Sequence, residues 1–285
     1  MGLMQGFPTM PADETAPTFD LQSHSTYSDG SLSPTEVVNR ARAAGVKVFA
    51  LTDHDTVDGV EEAVSAAGDM RLIPAVELSS VDGTYEDLHI LGYGIDHRDD
   101  TLRATLADFR QDRIRRILAM ADKLREAGFT IDPKRLEHEA PGRPHLAAAL
   151  LEDNDLTLTK NEVFAQYLVP GTPTYVGRSR PTVRQAIEVI HAAGGLAVWA
   201  HPYWDVEQAE HALREFTAYG LDGVEAFYIT HDEAQTRQLH ALARELGLIT
   251  TGSADFHGPA HDHFNRFRAF DLHGLEPDLG RLLLD

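Results

Sequence analysis

Seven short apolar runs, each separated from the next by a turn or a helical stretch, dominate this chain, and several of them lead into histidines and acids. The strand-like runs are 18–24, 46–52, 72–78, 88–92, 196–201, 223–227 and 248–253. Helical spacing of three and four fills the gaps: Pro34 to Gly45 has proline in its first turn and glycine after its last, and 182–194 and 231–247 read the same way. Strand–helix alternation on this scale predicts parallel strands with crossover helices, closed into a barrel or wound into a sheet. In such folds the strand ends converge on one face.

What those ends carry decides the chemistry. Gln22 and His24 close the first run and Asp29 follows it, Asp53-His54-Asp55 follow the second, and Glu77 falls within the third. His89 interrupts the fourth, His201 precedes Pro202 at the end of the fifth, and Asp255 and His257 follow the last. Taken singly, each has an ordinary reading. An Asp-Gly pair is a turn, and Asp55 or Thr56 is a candidate cap for the next helix. Glu77 is different, because a carboxylate in an apolar run is costly unless paired or metal-bound. Asp255 and His257, two apart, point to one side of an extended segment. Six strand ends bearing nitrogen and oxygen ligands form a pattern that no isolated salt bridge explains. With no cysteine in the chain, a metal here would be held by imidazole and carboxylate, which suits Mn, Fe or Zn.

The rhythm breaks between Asp96 and Arg180. Leu102, Leu106, Phe109, Ile114, Ile117, Ala121 and Leu124 put an apolar stripe on one long helix ended by Gly128, and shorter helical pieces follow at 145–151 and 161–168. The expected organisation is a leader over 1–17, a barrel over 18–98 and 180–285, and a helical insert over 99–179, acting either as a lid or as a stabilising bundle. Trp199 is expected in the barrel core. His97, His138, His191, His211, His231, His240, His261, His263 and His273 are expected on loops and helix surfaces.

The formal net charge of −20 repels a nucleic-acid backbone at long range, which argues against a long nucleic-acid partner. Residues 98–143 nevertheless hold 11 of the 25 Lys and Arg. No basic leader with a long apolar core is visible, so the expected location is cytoplasmic, away from membranes.

With these clusters laid out, the chain resembles the PHP (polymerase and histidinol phosphatase) superfamily of metal-dependent phosphoesterases, and within it the TrpH-like branch. Asp-Leu-Gln22-Ser-His24-Ser-Thr-Tyr-Ser-Asp29-Gly is similar to its first motif and Leu-Thr-Asp-His54-Asp-Thr to its second. Ala-His201-Pro and Ser-Ala-Asp255-Phe-His257-Gly are similar to the third and fourth, and stretches around Arg143 and Arg178 also match. The resemblance implies an α/β fold, a distorted (β/α)7 barrel with a helical insertion. It also implies two or three divalent metal ions. One would take His24, Glu77 and Asp255 with position 22, a second Glu77, His89 and His201, and a third Asp29, His54 and His257. Glu77, His201 and Asp255 would be central to catalysis. Arg143 and Arg178, with Arg180 as the alternative to Arg178, are the candidates for gripping phosphate. One departure stands out: the branch has His at the position of Gln22. The expected function is hydrolysis of a phosphate monoester of a small nucleotide, such as a nucleoside 3′,5′-bisphosphate, or trimming of short oligonucleotides. The alternatives are a histidinol-phosphate-like monoester phosphatase and, because of Gln22, a non-catalytic metal- or phosphate-binding module.

Overall fold

The computed structural model describes residues 17–283 apart from 84, 139, 179, 205 and 207. The expected leader, 1–17, lies outside the described residues but for Pro17. Seven strands form one sheet in sequence order: β1 (Phe19–Asp20), β2 (Val48–Leu51), β3 (Arg71–Asp82), β4 (Tyr85–Tyr93), β5 (Leu196–Trp199), β6 (Gly223–Tyr228) and β7 (Ile249–Ser253). The sheet curls until its ends meet. Leu21 N–H donates to the Gly252 carbonyl at 3.2 Å, and Ser23 and Phe256 form a parallel bridge. The α/β barrel of seven strands is therefore nearly closed.

One expectation about strand direction fails. β4 runs antiparallel to both β3 and β5, whereas the other neighbours are parallel. Only residues 83 and 84 join β3 to β4, and a parallel connection needs about a dozen residues or more. Gly83, at φ +54°, makes the tight turn. As a result Glu77 and His89 lie within the hairpin, two residues off register from each other: Glu77 pairs with Leu91, and His89 with Ser79.

The helices follow from caps and spacing. α1 (Pro34–Ala43) opens with a capping box between Ser33 and Glu36. α2 (Val60–Ala66) begins after Gly59, with no side-chain cap. α3 (Asp100–Glu126), α4 (Arg143–Asp153) and α5 (Lys160–Val163) precede a π-helical turn at 164–168. α6 (Val183–Ala192), α7 (Ala209–Ala218) and α8 (Glu233–Leu246) cover the later strands. α6 buries Val183, Ala186, Ile187 and Ile190, and α8 buries Leu239, Leu242 and Ala243, the stripe expected of helices lying on a sheet. Trp199 is fully buried, as expected, with its ring 4.9 Å from that of Phe216.

α3 serves two cores. Leu102, Leu106 and Phe109 join the principal core of strands and covering helices, while Ile117, Met120, Ala121 and Leu124 pack with Leu136, Leu146, Leu150, Val163 and Leu168 in a second cluster. Between these stretches the buried face carries Arg113 and Arg116, and Ile114 is only partly buried. The two arginines occupy the turn of α3 that faces the open end of the barrel.

Candidate active site

Each site loop is held from behind. His24 N–H donates to the Phe256 carbonyl at 2.8 Å, tying the first loop to the last. Asp53 then pins the first loop: its carboxylate accepts Ser25 N–H at 2.7 Å and the Ser25 and Ser28 hydroxyls, each at 2.6 Å. Gly30 closes that loop, because a Cβ there would fall 2.3 Å from the His24 carbonyl oxygen. Asp55 also faces away from the cluster. It accepts Ser79 N–H at 3.0 Å and pairs with Arg113 Nη1 at 2.8 Å, and it caps no helix. Of the three polar residues 53–55, only His54 enters the cluster.

Glu77 is the hub. Oε1 lies 2.9 Å from His89 Nδ1 and 3.4 Å from His201 Nε2, while Oε2 lies 3.0 Å from His24 Nε2 and 3.5 Å from His54 Nδ1. Asp255 Oδ1 is 3.2 Å from His24 Nε2 and 3.6 Å from His257 Nδ1, and its other oxygen accepts the Tyr228 hydroxyl at 2.9 Å. Asp29 stands between His257 Nε2 at 3.4 Å, His24 Nδ1 at 3.7 Å and His54 Nε2 at 3.7 Å. Asp255 and His201 adopt positive φ, +50° and +31°. The last loop is thus left-handed at Asp255 instead of extended, and such strain is held only where the surroundings enforce it.

The ionisation pattern reflects this crowding. Burial alone would raise Glu77, but the surrounding imidazoles of His54, His89, His201 and His24 hold it well below the usual carboxylate range. Burial likewise opposes ionisation of Asp255, yet His257 and His24 bring it down to about 2. Burial disfavours charge on His201, and the hydrogen bond and charge of Glu77 outweigh it, raising the ring to about 9. Burial also opposes charge on His24, and the close carboxylates of Asp255 and Glu77 outweigh it, raising the ring well above its ordinary value. Burial dominates at His54 and lowers it.

Close approach here does not amount to hydrogen bonding. His24 Nε2, Asp29 Oδ1, His54 Nδ1, Glu77 Oε2 and Asp255 Oδ1 are buried and have no hydrogen-bond partner. Buried polar atoms are normally satisfied. Five orphaned ligand-type atoms meeting in one place fit a site for divalent cations. Two sets of side chains have ligand atoms close enough to share an ion: His24, Asp29, His54 and His257, and His54, Glu77 and His89. Gln22 is placed differently. It is buried below, with Oε1 3.4 Å from Ser253 Oγ, and does not line the cavity above the cluster.

That cavity measures about 720 Å³, a size suited to a small organic ligand. Arg113, Arg116, Arg143, Arg178 and Lys160 contribute to its lining. Arg143 pairs with Asp87, and Arg178 lies buried 3.8 Å from Asp55 with Nε unpartnered. Burial lowers Arg178 to about 10, which leaves it charged at neutral pH. Arg180 lies outside this cavity and pairs with Asp108 at 2.6 Å. Arg113 and Arg116 were not among the expected site residues, although their signal is in the helix: Arg113 is four residues from both Phe109 and Ile117, on the buried stripe. His261 and His263 line the cavity mouth; His263 is exposed, as expected, whereas His261 is half-buried, its ring 5.3 Å from that of His257. His231 is another correction. It is buried, packed 5.4 Å from Tyr228. A missed buried acid, Glu225 on β6, accepts His201 N–H at 2.9 Å and Ser253 Oγ–H at 2.6 Å, and burial raises it to about 8.

No described helix is long and apolar enough to cross a membrane. The PHP domain model matches residues 20–164. A 5′-3′ exoribonuclease of Haemophilus influenzae is 35% identical, covering 85% of this chain and 90% of its own. A 3′,5′-nucleoside bisphosphate phosphatase of Chromobacterium violaceum is 36% identical over 84% of this chain and 87% of its own. A solved amidohydrolase structure from Chromobacterium violaceum, with bound sulfate and no metal, has a TM-score of 0.78 and 32% identity, covering 88% of this chain and 91% of that one.

Proposed function

The chain belongs to the PHP domain family and is a hydrolase of phosphate esters, and we propose that its substrate is a small nucleotide, a nucleoside 3′,5′-bisphosphate or the end of a short oligonucleotide. The observation that carries this reading is the pairing of two features in one cavity. Five orphaned ligand atoms lie at its foot, and four arginines contribute to its lining. The donor set fits Mn, Fe or Zn. His24, Glu77 and Asp255 would hold one ion, Glu77, His89 and His201 a second, and Asp29, His54 and His257 a third, with Gln22 as a neutral neighbour of the first. When bound, such ions acidify water and polarise phosphoryl oxygens.

The chain's own groups do the rest. The Tyr228 hydroxyl holds one oxygen of Asp255, leaving Oδ1 free of hydrogen bonds. Glu77 keeps four imidazoles around a single carboxylate, so its negative charge is shared across the site. Arg143 and Arg178 are the phosphate grips, since a planar guanidinium matches two oxygens at once. Arg143 would exchange Asp87 for a phosphate. Four arginines and Lys160 outnumber Asp55 and Asp87, the acids paired with them, so the cavity wall stays net positive, which supports a substrate bearing more than one phosphate. The acidic exterior supports a small ligand over a long polyanion. The neighbours named as an exoribonuclease and a bisphosphate phosphatase act on ligands of this chemistry.

The test is phosphate release from adenosine 3′,5′-bisphosphate by Mn²⁺-loaded protein, beside AMP and an Asp255→Asn control. Release from the bisphosphate alone, lost in the control, is the expected result. Equal turnover of AMP would reassign the enzyme as a general monoester phosphatase. Metal binding without turnover of either would overturn the nucleotide reading and move the substrate to another phosphate ester.

A further inference from the structure

Beside the arginines, the cavity has an aromatic part that phosphate chemistry does not use. Trp204 is 53% exposed and is the one exposed large hydrophobic among the described residues that lines this cavity. Its ring centroid lies 5.7 Å from that of Phe264 with the planes inclined at 52°, and Phe264 in turn stacks on His261 at 5.0 Å and 25°. Leaving half of an indole in water forgoes apolar burial, so a ligand that covers it gains what the fold does not.

Both aromatics are tied to backbone that presents the ligand cluster. Trp204 N–H donates to the His201 carbonyl at 2.9 Å, so a single tight turn carries both His201 and the indole. The Phe264 carbonyl accepts His257 N–H at 2.9 Å, and the two rings lie 5.5 Å apart, which sets Phe264 beside His257. The aromatic pair is therefore in register with the centre where a phosphate would react, and the arginines line the same cavity. A ligand reaching from one to the other must be flat and apolar at one end and anionic along the rest. Nucleotides have that form, and sugar phosphates lack the flat end.

Resting on the nucleotide reading above, we infer that the exposed Trp204 indole, backed by the buried ring of Phe264, is a stacking platform for the nucleobase of the substrate. Every base has a π-face, so a platform of this kind holds a base without reading its edge. The enzyme accordingly prefers nucleotides to sugar phosphates while accepting different bases.

The test compares binding of AMP and of ribose 5-phosphate to the full-length Mn²⁺-loaded protein by calorimetry. The variants are Trp204→Ala and Trp204→Phe, with metal content checked in each. Wild type is expected to favour AMP by about tenfold or more, the range that alanine replacement of a base-stacking ring removes. Trp204→Ala erases this preference, and Trp204→Phe keeps most of it. AMP also quenches tryptophan fluorescence in wild type, because of the two tryptophans only Trp204 is exposed and Trp199 is buried. An undiminished preference in Trp204→Ala, or no preference in wild type, overturns the platform. Phosphate release from the bisphosphate reports separately on the function: hydrolysis with an unaltered Trp204→Ala sinks the platform alone, and wild-type hydrolysis of sugar phosphates without nucleotides sinks both.

Discussion

Gln22 stands where the resemblance to the TrpH-like branch implies a histidine, and its place gives that difference a physical meaning. Its amide oxygen lies 3.4 Å from Ser253 Oγ, beneath the cavity. A neutral carboxamide is a weaker ligand than imidazole for a transition metal. Gln22→His is expected to raise the metal retained after dialysis, measured by elemental analysis, and unchanged content would remove position 22 from the site. At the opposite side of the chemistry, Arg143→Lys keeps the charge but loses the fork that grips two oxygens. About a tenfold rise in KM with little change in kcat is the expected outcome, since a hydrogen bond to a charged group is worth about 1.5–3 kcal/mol. An unchanged KM would leave Arg143 to its pairing with Asp87. Most of the acids and imidazoles were legible in the sequence because strands end in them and nothing else explains buried charge there. Asp53 and Asp55 look like ligands by the same rule, yet each is consumed in fixing a neighbouring loop or strand. Backbone partners at that range of separation are invisible to spacing. Glu225 was missed for a related reason: it interrupts β6 as Glu77 interrupts β3, but no histidine adjoins it in sequence, and only the fold brings it to His201.

At the level of elements, period and turn chemistry made the strands and most helices readable, and connection length carried information that the alternation alone obscured. The expected third and fourth runs leave nine residues, 79–87, between them, fewer than a parallel crossover needs, and the hairpin that forms instead brings Glu77 and His89 together. α3 was legible as a helix but not as a site element. Its stripe was read through Ile114, whereas the buried face runs through Arg113, because arginine is discounted as a core residue. Arg113 donates to Asp55 at 2.8 Å, to Ser79 Oγ at 3.1 Å and to the Pro141 carbonyl at 2.9 Å, joining the loop after β2, strand β3 and the segment before α4 through one buried guanidinium. Removing it leaves Asp55, fully buried, with Arg178 at 3.8 Å as its remaining cation. Arg113→Met is expected to cost about 3 kcal/mol in chemical denaturation, the lower end for breaking a buried pair. Adding Asp55→Asn to Arg113→Met should restore much of that loss, since the uncompensated charge is then gone. Equal destabilisation in the single and double variants would assign the cost to packing instead.

Across the whole molecule, metal, protons and folding are linked, and the signs can be worked out. His201 is raised from an ordinary value of 6.5 to about 9 in the folded chain. In metal-free protein the contact between its charged ring and Glu77 therefore stabilises the fold fully below about pH 6.5 and is lost as pH rises through about 9. Metal binding has the opposite dependence, because an imidazole must release its proton to become a ligand. A cation that binds only the folded chain adds stability by mass action, about 2.7 kcal/mol for a site at a hundred times its dissociation constant. As pH rises from 6.5 to 9 protons compete less for His201 and His24, so the metal's contribution grows while the apo protein weakens. The difference in thermal midpoint between Mn²⁺-loaded and chelator-treated protein should therefore widen across that window, with protons released to solvent on loading at its lower end. A difference that narrows with pH, or loading without proton release at pH 6.5, would mean that the imidazoles around Glu77 are not where the metal binds.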